Sequence, residues 1–235
     1  MDAHSLAEKN PGMTVVAVDD HRIDPYCRTL AVPGISGLVQ FADGLIPDNL
    51  DANLYIASSP ELESQEACGA FSAFFGYADI QVGYNAGPNS TLNGLEWHRT
   101  PEVLVAVSDI ALLVGRVEDI ETDSAGETRY DSSRVVCILV PRGTVLELRQ
   151  GTLHLAPCRL RDAGFKTIVV LPRGTNAPLS ATEIAAAREA SSSGNIEAGF
   201  LFMRNKWIIA HPERAVLVDK GARPCIRGKN TRIAY

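Results

Sequence analysis

Glu96-Trp97-His98-Arg99-Thr100-Pro101-Glu102 runs directly into an apolar, β-branched stretch, Val103 to Val107. On an extended strand, residues two apart share a face. Glu96 and His98 therefore project together, with strand sequence following at once. A second histidine, His154, stands in Gly151-Thr152-Leu153-His154, just after a tight Gly-Thr turn. A lone histidine at a strand end is usually a hydrogen-bonded structural residue, and a lone glutamate is usually solvated. Two carboxylates and two imidazoles together form a ligand set for one divalent metal. Converging inside a β-barrel, they would make a metal site in a cup.

The surrounding texture supports strands. Val103 to Val107 and Ile110 to Val114 are apolar and β-branched, divided by the turn signal Ser108-Asp109. Val135 to Val140 ends at Pro141-Arg142-Gly143. Val145 to Leu148, Leu153 to Pro157, Lys166 to Leu171 and Phe200 to Ala210 continue the series. Such regular short spacing predicts a sandwich or barrel. Upstream, residues 14–18 and 80–84 read as strands, and 34–43 and 60–75 as short helices. Residues 180–191, SATEIAAAREAS, form the best helix, capped by Ser180 or Thr182. The Ser-Ser-Ser-Gly that follows reads as a surface connection. The expectation is one domain over 1–235. An N-terminal helical elaboration would occupy about 1–79, and a metal-binding barrel core about 80–215.

The chain has 235 residues, 46% hydrophobic and 21% charged, enough for a sizeable core. A net charge of −6 gives no support to a nucleic-acid partner. No apolar run is long enough for a membrane span, and the polar start does not read as a signal peptide. The 5 cysteines contain no CxxC pair and fit reduced thiols in a cytoplasmic protein. No GxSxG elbow, HExxH helix, phosphate-binding loop or Rossmann glycine pattern occurs.

The metal segment resembles the first motif of the cupins, HxHxxxE. Here Glu96-x-His98-x-x-x-Glu102 keeps the spacing and places Glu where the first His would stand. Pro141-Arg142-Gly143 matches the PxG of the second cupin motif, but the histidine comes later, at 154. Gly-Thr-Leu-His-Leu-Ala-Pro is similar to a turn in the ureidoglycolate lyase branch. Several phrases together resemble one cupin-like family, DUF4867: QVGY (81–84), LNGLEWHRTPEVLVAV (92–107), YDSSRV (130–135), TLHLAPC (152–158), VVLPRGTN (169–176) and NKWIIAHPE (205–213). The resemblance implies a mainly β fold, a cupin-like antiparallel β-barrel (jelly roll), commonly a homodimer. It also implies an aldose–ketose isomerase of sulfosugar breakdown, converting sulfoquinovose to 6-deoxy-6-sulfofructose.

That reaction moves a proton between C2 and C1 of an open-chain sugar. The enediolate oxygens need a Lewis acid, and a carboxylate must carry the proton. The expected metal ligands are Glu96, His98, Glu102 and His154, with Glu96 either a fourth ligand or the base. The mixed oxygen and imidazole set suits one divalent ion, Mn, Fe, Ni or Zn. Glu96, Glu102 and Lys206 are the expected catalytic residues. Arg99, Arg204 and Lys206 are candidates to clamp an anionic sugar, and Tyr84, Asn85 and Asn89 to bind hydroxyls. Cys158 reads as a core thiol and His211 as a strand-end residue. Two other functions fit the same metal set. One is a lyase or hydrolase of a small hydroxy or ureido acid. The other is a non-catalytic sugar-binding cupin.

Overall fold

The computed structural model describes residues 1–235, and the fold is mainly β. The larger of two main sheets runs Cys27–Thr29, Val145–Leu148, Glu102–Ala106, Phe165–Pro172, Ile80–Gly87, Leu54–Ile56, all antiparallel. The other runs Thr14–Ala17, Val136–Val140, Ile110–Arg116, Thr152–Leu153, with Cys158–Arg159 also paired to Ile110–Arg116. A three-stranded sheet joins Leu201–Met203, Lys206–Ala210 and Gly94–Trp97, and a fourth sheet joins Ile226–Arg227, Thr128–Asp131 and Glu121–Thr122.

The expected closed barrel is not formed. The two main sheets share no ladder, and their edges are strands of two to four residues, too short to carry pairing around a ring. They pack instead through side chains, as a sandwich. Leu104 and Ala106 from one sheet meet Ile110, Leu112, Val114, Ile138 and Val140 from the other. The alternate residues Val103, Val105 and Val107 face outward onto Leu38, Val39, Ala42 and Phe71 of the helices Ile35–Leu45 and Glu66–Phe74. Ala111, Leu113, Cys137 and Leu139 likewise face a third cluster with Leu95, Trp97 and Tyr130. Strands buried on both faces explain the unbroken apolar runs in the sequence. Each fully buried aliphatic side chain contributes roughly 1.5–3 kcal/mol.

The same layering explains Ser108-Asp109. The strands on either side of it lie in different sheets, so the turn is a corner between layers rather than a hairpin. The first 79 residues do carry helices, including Ile35–Leu45, Pro60–Glu63 and Glu66–Phe74. They also supply three strands to the main sheets, Thr14–Ala17, Cys27–Thr29 and Leu54–Ile56, which sequence alone revealed only at 14–18. The expected strand 200–210 is two strands, broken where Asn205 takes a left-handed φ of 52°. The helix Ala181–Ser192 starts on Ser180, whose hydroxyl accepts from the Glu183 N–H while Glu183 accepts from the Ser180 N–H. No helix is long and apolar enough to cross a membrane.

Candidate metal centre and its cavity

Strand parity aims the acidic and imidazole side chains at one place. Leu95 and Trp97 are committed to the core cluster, so Glu96 and His98 turn to the opposite face. Glu102 opens the strand Glu102–Ala106 and shares the inward parity of Leu104. His154 bridges Glu96 across backbones, the His154 N–H donating to the Glu96 carbonyl at 2.9 Å. All four residues are buried.

Ring orientation follows from what each Nδ1 meets. The His98 Nδ1–H donates to the Asn205 carbonyl at 2.6 Å, and the His154 Nδ1–H to the Thr152 carbonyl at 2.9 Å. Those bonds assign the tautomer and leave both Nε2 lone pairs facing the carboxylates. Glu102 Oε2 stands 3.3 Å from His98 Nε2 and 3.2 Å from His154 Nε2, and Glu96 Oε1 lies 3.9 Å from His98 Nε2. Lone pairs held this close to an anionic oxygen require a proton or a cation among them. His98 Nε2 is buried with no hydrogen-bond partner. Glu96, His98 and His154 offer ligand atoms within 4.8 Å of one another, close to the span of donors sharing an ion at about 2 Å. The cluster could hold a metal ion, and its backbone-anchored imidazoles are the usual way such ligands are oriented.

The other carboxylate of the set has a different partner. Glu96 Oε2 pairs with Lys206 Nζ, brought there by the ladder between Lys206–Ala210 and Gly94–Trp97. The Asn205 turn thus serves both halves: its carbonyl orients His98, and the next residue meets Glu96. Its amide is tied in turn to Thr100 Oγ1 at 2.8 Å and Thr175 Oγ1 at 3.2 Å.

Glu96, Glu102 and His154 open onto a cavity of about 360 Å³, lined also by Lys206, Asn85 and Asn89. Register decides which other groups reach it. Tyr55 pairs with Asn85, and Asn85 with Thr167, so all three point inward and line the cavity. Gly83 lets that strand approach, because a Cβ there would collide with the Ile56 carbonyl. Tyr84, the expected hydroxyl binder, pairs with Ile168 and Ile56 and packs on the helical side of the sheet. One residue of parity separates it from the cavity that Tyr55 enters.

The expected anion clamp is also divided. Lys206 lines the cavity, but Arg99 and Arg204 do not. Parity turns Arg99 outward after the inward His98, and it pairs with Glu197 while lying over the Trp207 ring at 5.8 Å. Arg204 pairs with Glu183 at 3.0 Å. Both belong to a separate surface groove of about 490 Å³. His211 is structural: its Nε2–H donates to the Gly228 carbonyl at 3.2 Å and its Nδ1 accepts from the Glu213 N–H. Cys158 is buried in the core, where burial pushes its thiol up. Sequence reasoning missed Tyr55, Asn53, Asn93, Asn176, Arg214 and Lys220, which all line the cavity. Asn93 and Asn176 had a signal, as residues of the family-like phrases LNGLEWHRTPEVLVAV and VVLPRGTN.

The domain of unknown function DUF4867 matches residues 15–231. The chain belongs to the DUF4867 family. No curated protein matches it. Among solved structures, this DUF4867 protein is similar to a cupin superfamily protein from Desulfitobacterium hafniense DCB-2, at 10% identity over 56% of this chain and 87% of that one, with a TM-score of 0.33. It is similar to EvdO2 from Micromonospora carbonacea var. aurantiaca, at 13% identity over 67% and 92%, with a TM-score of 0.41. It is also similar to the Bacillus subtilis oxalate decarboxylase, whose Mn(II) centres have been characterised, at 13% identity over 60% and 36%, with a TM-score of 0.32. Likenesses this distant decide nothing further about the DUF4867 protein.

Protonation in the metal-free DUF4867 protein makes a testable pattern. Burial pushes the Glu102 carboxyl up, but the adjacent His154 and His98 outweigh it and hold it well below the usual carboxylate range. Burial lowers His154, but the Glu102 charge outweighs this and raises it from 6.5 to about 9. The raised His154 contributes stability that is full below pH 6.5 and lost as pH rises to about 9. The depressed Glu102 contributes stability present above 4.5 and lost as pH falls. Melting with EDTA should therefore peak between about pH 5 and 6.5. Metal must displace the His154 proton, so its affinity should rise with pH across the same upper window. Thermal melts and metal titrations at pH 6 and 8.5 check both trends, and equal metal affinity at the two values would contradict the proton displacement.

Proposed function

We propose that this protein is a metal-dependent aldose–ketose isomerase acting on a hexose derivative, with sulfoquinovose as the favoured substrate and 6-deoxy-6-sulfofructose as product. One observation carries the reading: two buried imidazoles, oriented by backbone carbonyls, converge on two carboxylates of unequal commitment beside a cavity that also holds amides and Lys206. His98, His154 and Glu102, with Glu96 as fourth ligand or beside the ion, would hold a divalent cation, Mn, Fe, Ni or Zn, which would supply Lewis-acid stabilisation for charge on two neighbouring sugar oxygens.

The residues of the chain divide the remaining work. Glu102 is flanked by both imidazoles and kept anionic, which suits a ligand and makes it a poor proton carrier. Glu96 lines the cavity, pairs with Lys206 and lies farther from His98, at 3.9 Å, than Glu102 does, which supports it as the group that takes the C2 proton and returns it to C1. Lys206 orients that carboxylate and can pass a proton to a sugar oxygen. Asn85, Asn89 and Tyr55 offer polar groups to the sugar hydroxyls.

The test is proton NMR in D₂O of purified protein with Mn²⁺ and sulfoquinovose, beside an EDTA-treated control. Metal-dependent loss of the C2 proton signal, with a new ketose, is the expected result. No exchange with any hexose despite stoichiometric metal would overturn the isomerase reading.

A further inference from the structure

Two cations line the cavity that the isomerisation chemistry does not use, Arg214 and Lys220. Their position follows from the strand that carries Lys206. Lys206–Ala210 passes the metal end, where Ile208 stands opposite Glu96, and runs two residues beyond it, about 7 Å at strand rise. The next turn is fixed where the His211 N–H donates to the Asn93 carbonyl at 2.9 Å and the Arg214 N–H to the His211 carbonyl at 2.9 Å. Arg214 then precedes the short helix Ala215–Asp219, and Lys220 follows it.

Neither side chain makes an ion pair or a hydrogen bond within the chain. Other exposed arginines here, such as Arg28, Arg161 and Arg173, are held by carboxylates. The chain as a whole carries −6, yet two uncompensated cations stand together at this one cavity. The carboxylates lining the cavity are Glu96 and Glu102, both engaged at the metal end. Its other polar lining is mostly amide, set among apolar residues such as Leu104, Val169 and Met203. Asn85 makes no side-chain hydrogen bond, and Asn176 Oδ1 is buried and unpartnered. Amides that donate and accept match hydroxyls, and free cations match an anion.

We propose that Arg214 and Lys220 read an anionic substituent on the sugar, a sulfonate or a phosphate borne at the end remote from C1 and C2. This rests on the cavity being the sugar site. It places selection for charge at the cavity mouth rather than at Arg99 or Arg204.

The test is calorimetric titration of the Mn²⁺-loaded protein with glucose, glucose 6-phosphate and sulfoquinovose. Wild type should bind an anionic sugar more tightly than glucose by on the order of tenfold, the scale of two partly exposed ion pairs. The R214Q/K220Q double variant should bind glucose as before and lose that preference. In the wild type, 0.5 M salt should erase the same preference without any substitution. The phosphate and sulfonate arms identify which anion is read. No preference in wild type, a preference the double variant retains, or binding of none of the three sugars would overturn the proposal. Isomerisation without charge preference would remove the anion-reading role and leave the isomerase reading standing. Charge preference without C2 exchange would do the reverse.

Discussion

Glu96→Gln is expected to leave the metal in place while slowing isomerisation by about 10² to 10⁴-fold, the usual worth of a positioned proton carrier. The amide is isosteric and keeps an oxygen for the Lys206 ammonium, but it cannot accept a proton at neutral pH. The ligand positions at His98, His154 and Glu102 are untouched, because their mutual contacts do not pass through Glu96 Oε2. The Glu96–Lys206 pair is mostly buried, so the lost charge should also weaken the fold, by less than the roughly 3–5 kcal/mol of a fully broken buried pair because the amide oxygen still accepts from the ammonium. Metal content by mass spectrometry and kcat for sulfoquinovose decide the outcome. A loss of metal in step with activity would make Glu96 a ligand and take the proton transfer away from it.

Glu102→Gln should have the opposite profile, with metal lost first. Glu102 Oε2 is the oxygen shared by both imidazoles, at 3.3 Å from His98 and 3.2 Å from His154. Without its charge, the two Nε2 atoms have no anionic partner fully committed to them. Purified protein should retain less than about a tenth of the wild-type metal, beyond the 10–100-fold affinity losses that follow changes around metal ligands. The metal-free fold should weaken as well. Breaking a buried ion pair costs about 3–5 kcal/mol when the remaining charge is trapped. His154 can instead release its proton, because the Glu102 charge that raised it is gone and burial then lowers it. The loss should therefore sit at the lower end of the range. Urea unfolding of EDTA-treated protein measures it, and full metal occupancy in the purified variant would remove Glu102 from the ligand set.

The segment 96–102 made the candidate centre legible before any fold was known. Its spacing sets Glu96 beside His98 on any extended chain, and the strand following Glu102 supplies parity. The long apolar runs likewise announced strands, and Ser180 or Thr182 ahead of an Ala- and Glu-rich run announced the capped helix. Strand spacing left sandwich and barrel both open, because it reports that a strand is buried and not which sheet receives its hydrogen bonds; the barrel came from the family resemblance. Leu54–Ile56 was invisible for a related reason. A three-residue strand has no pattern of its own and exists only because Ile80–Gly87 offers it an edge.

What the chain determined by itself was chemistry carried by neighbours in sequence: the donor types, their spacing, the β character and the capped helix. Tertiary structure decided everything that depends on long-range register. It set His154 across from Glu96, brought Lys206 to that carboxylate and sent Tyr84 to the helices while admitting Tyr55. It also turned Arg99 and Arg204 outward and brought Arg214 and Lys220 to the cavity. The physical reason is the two-residue period of a strand. A shift of one residue moves a side chain to the opposite face, and only the pairing partner fixes that choice.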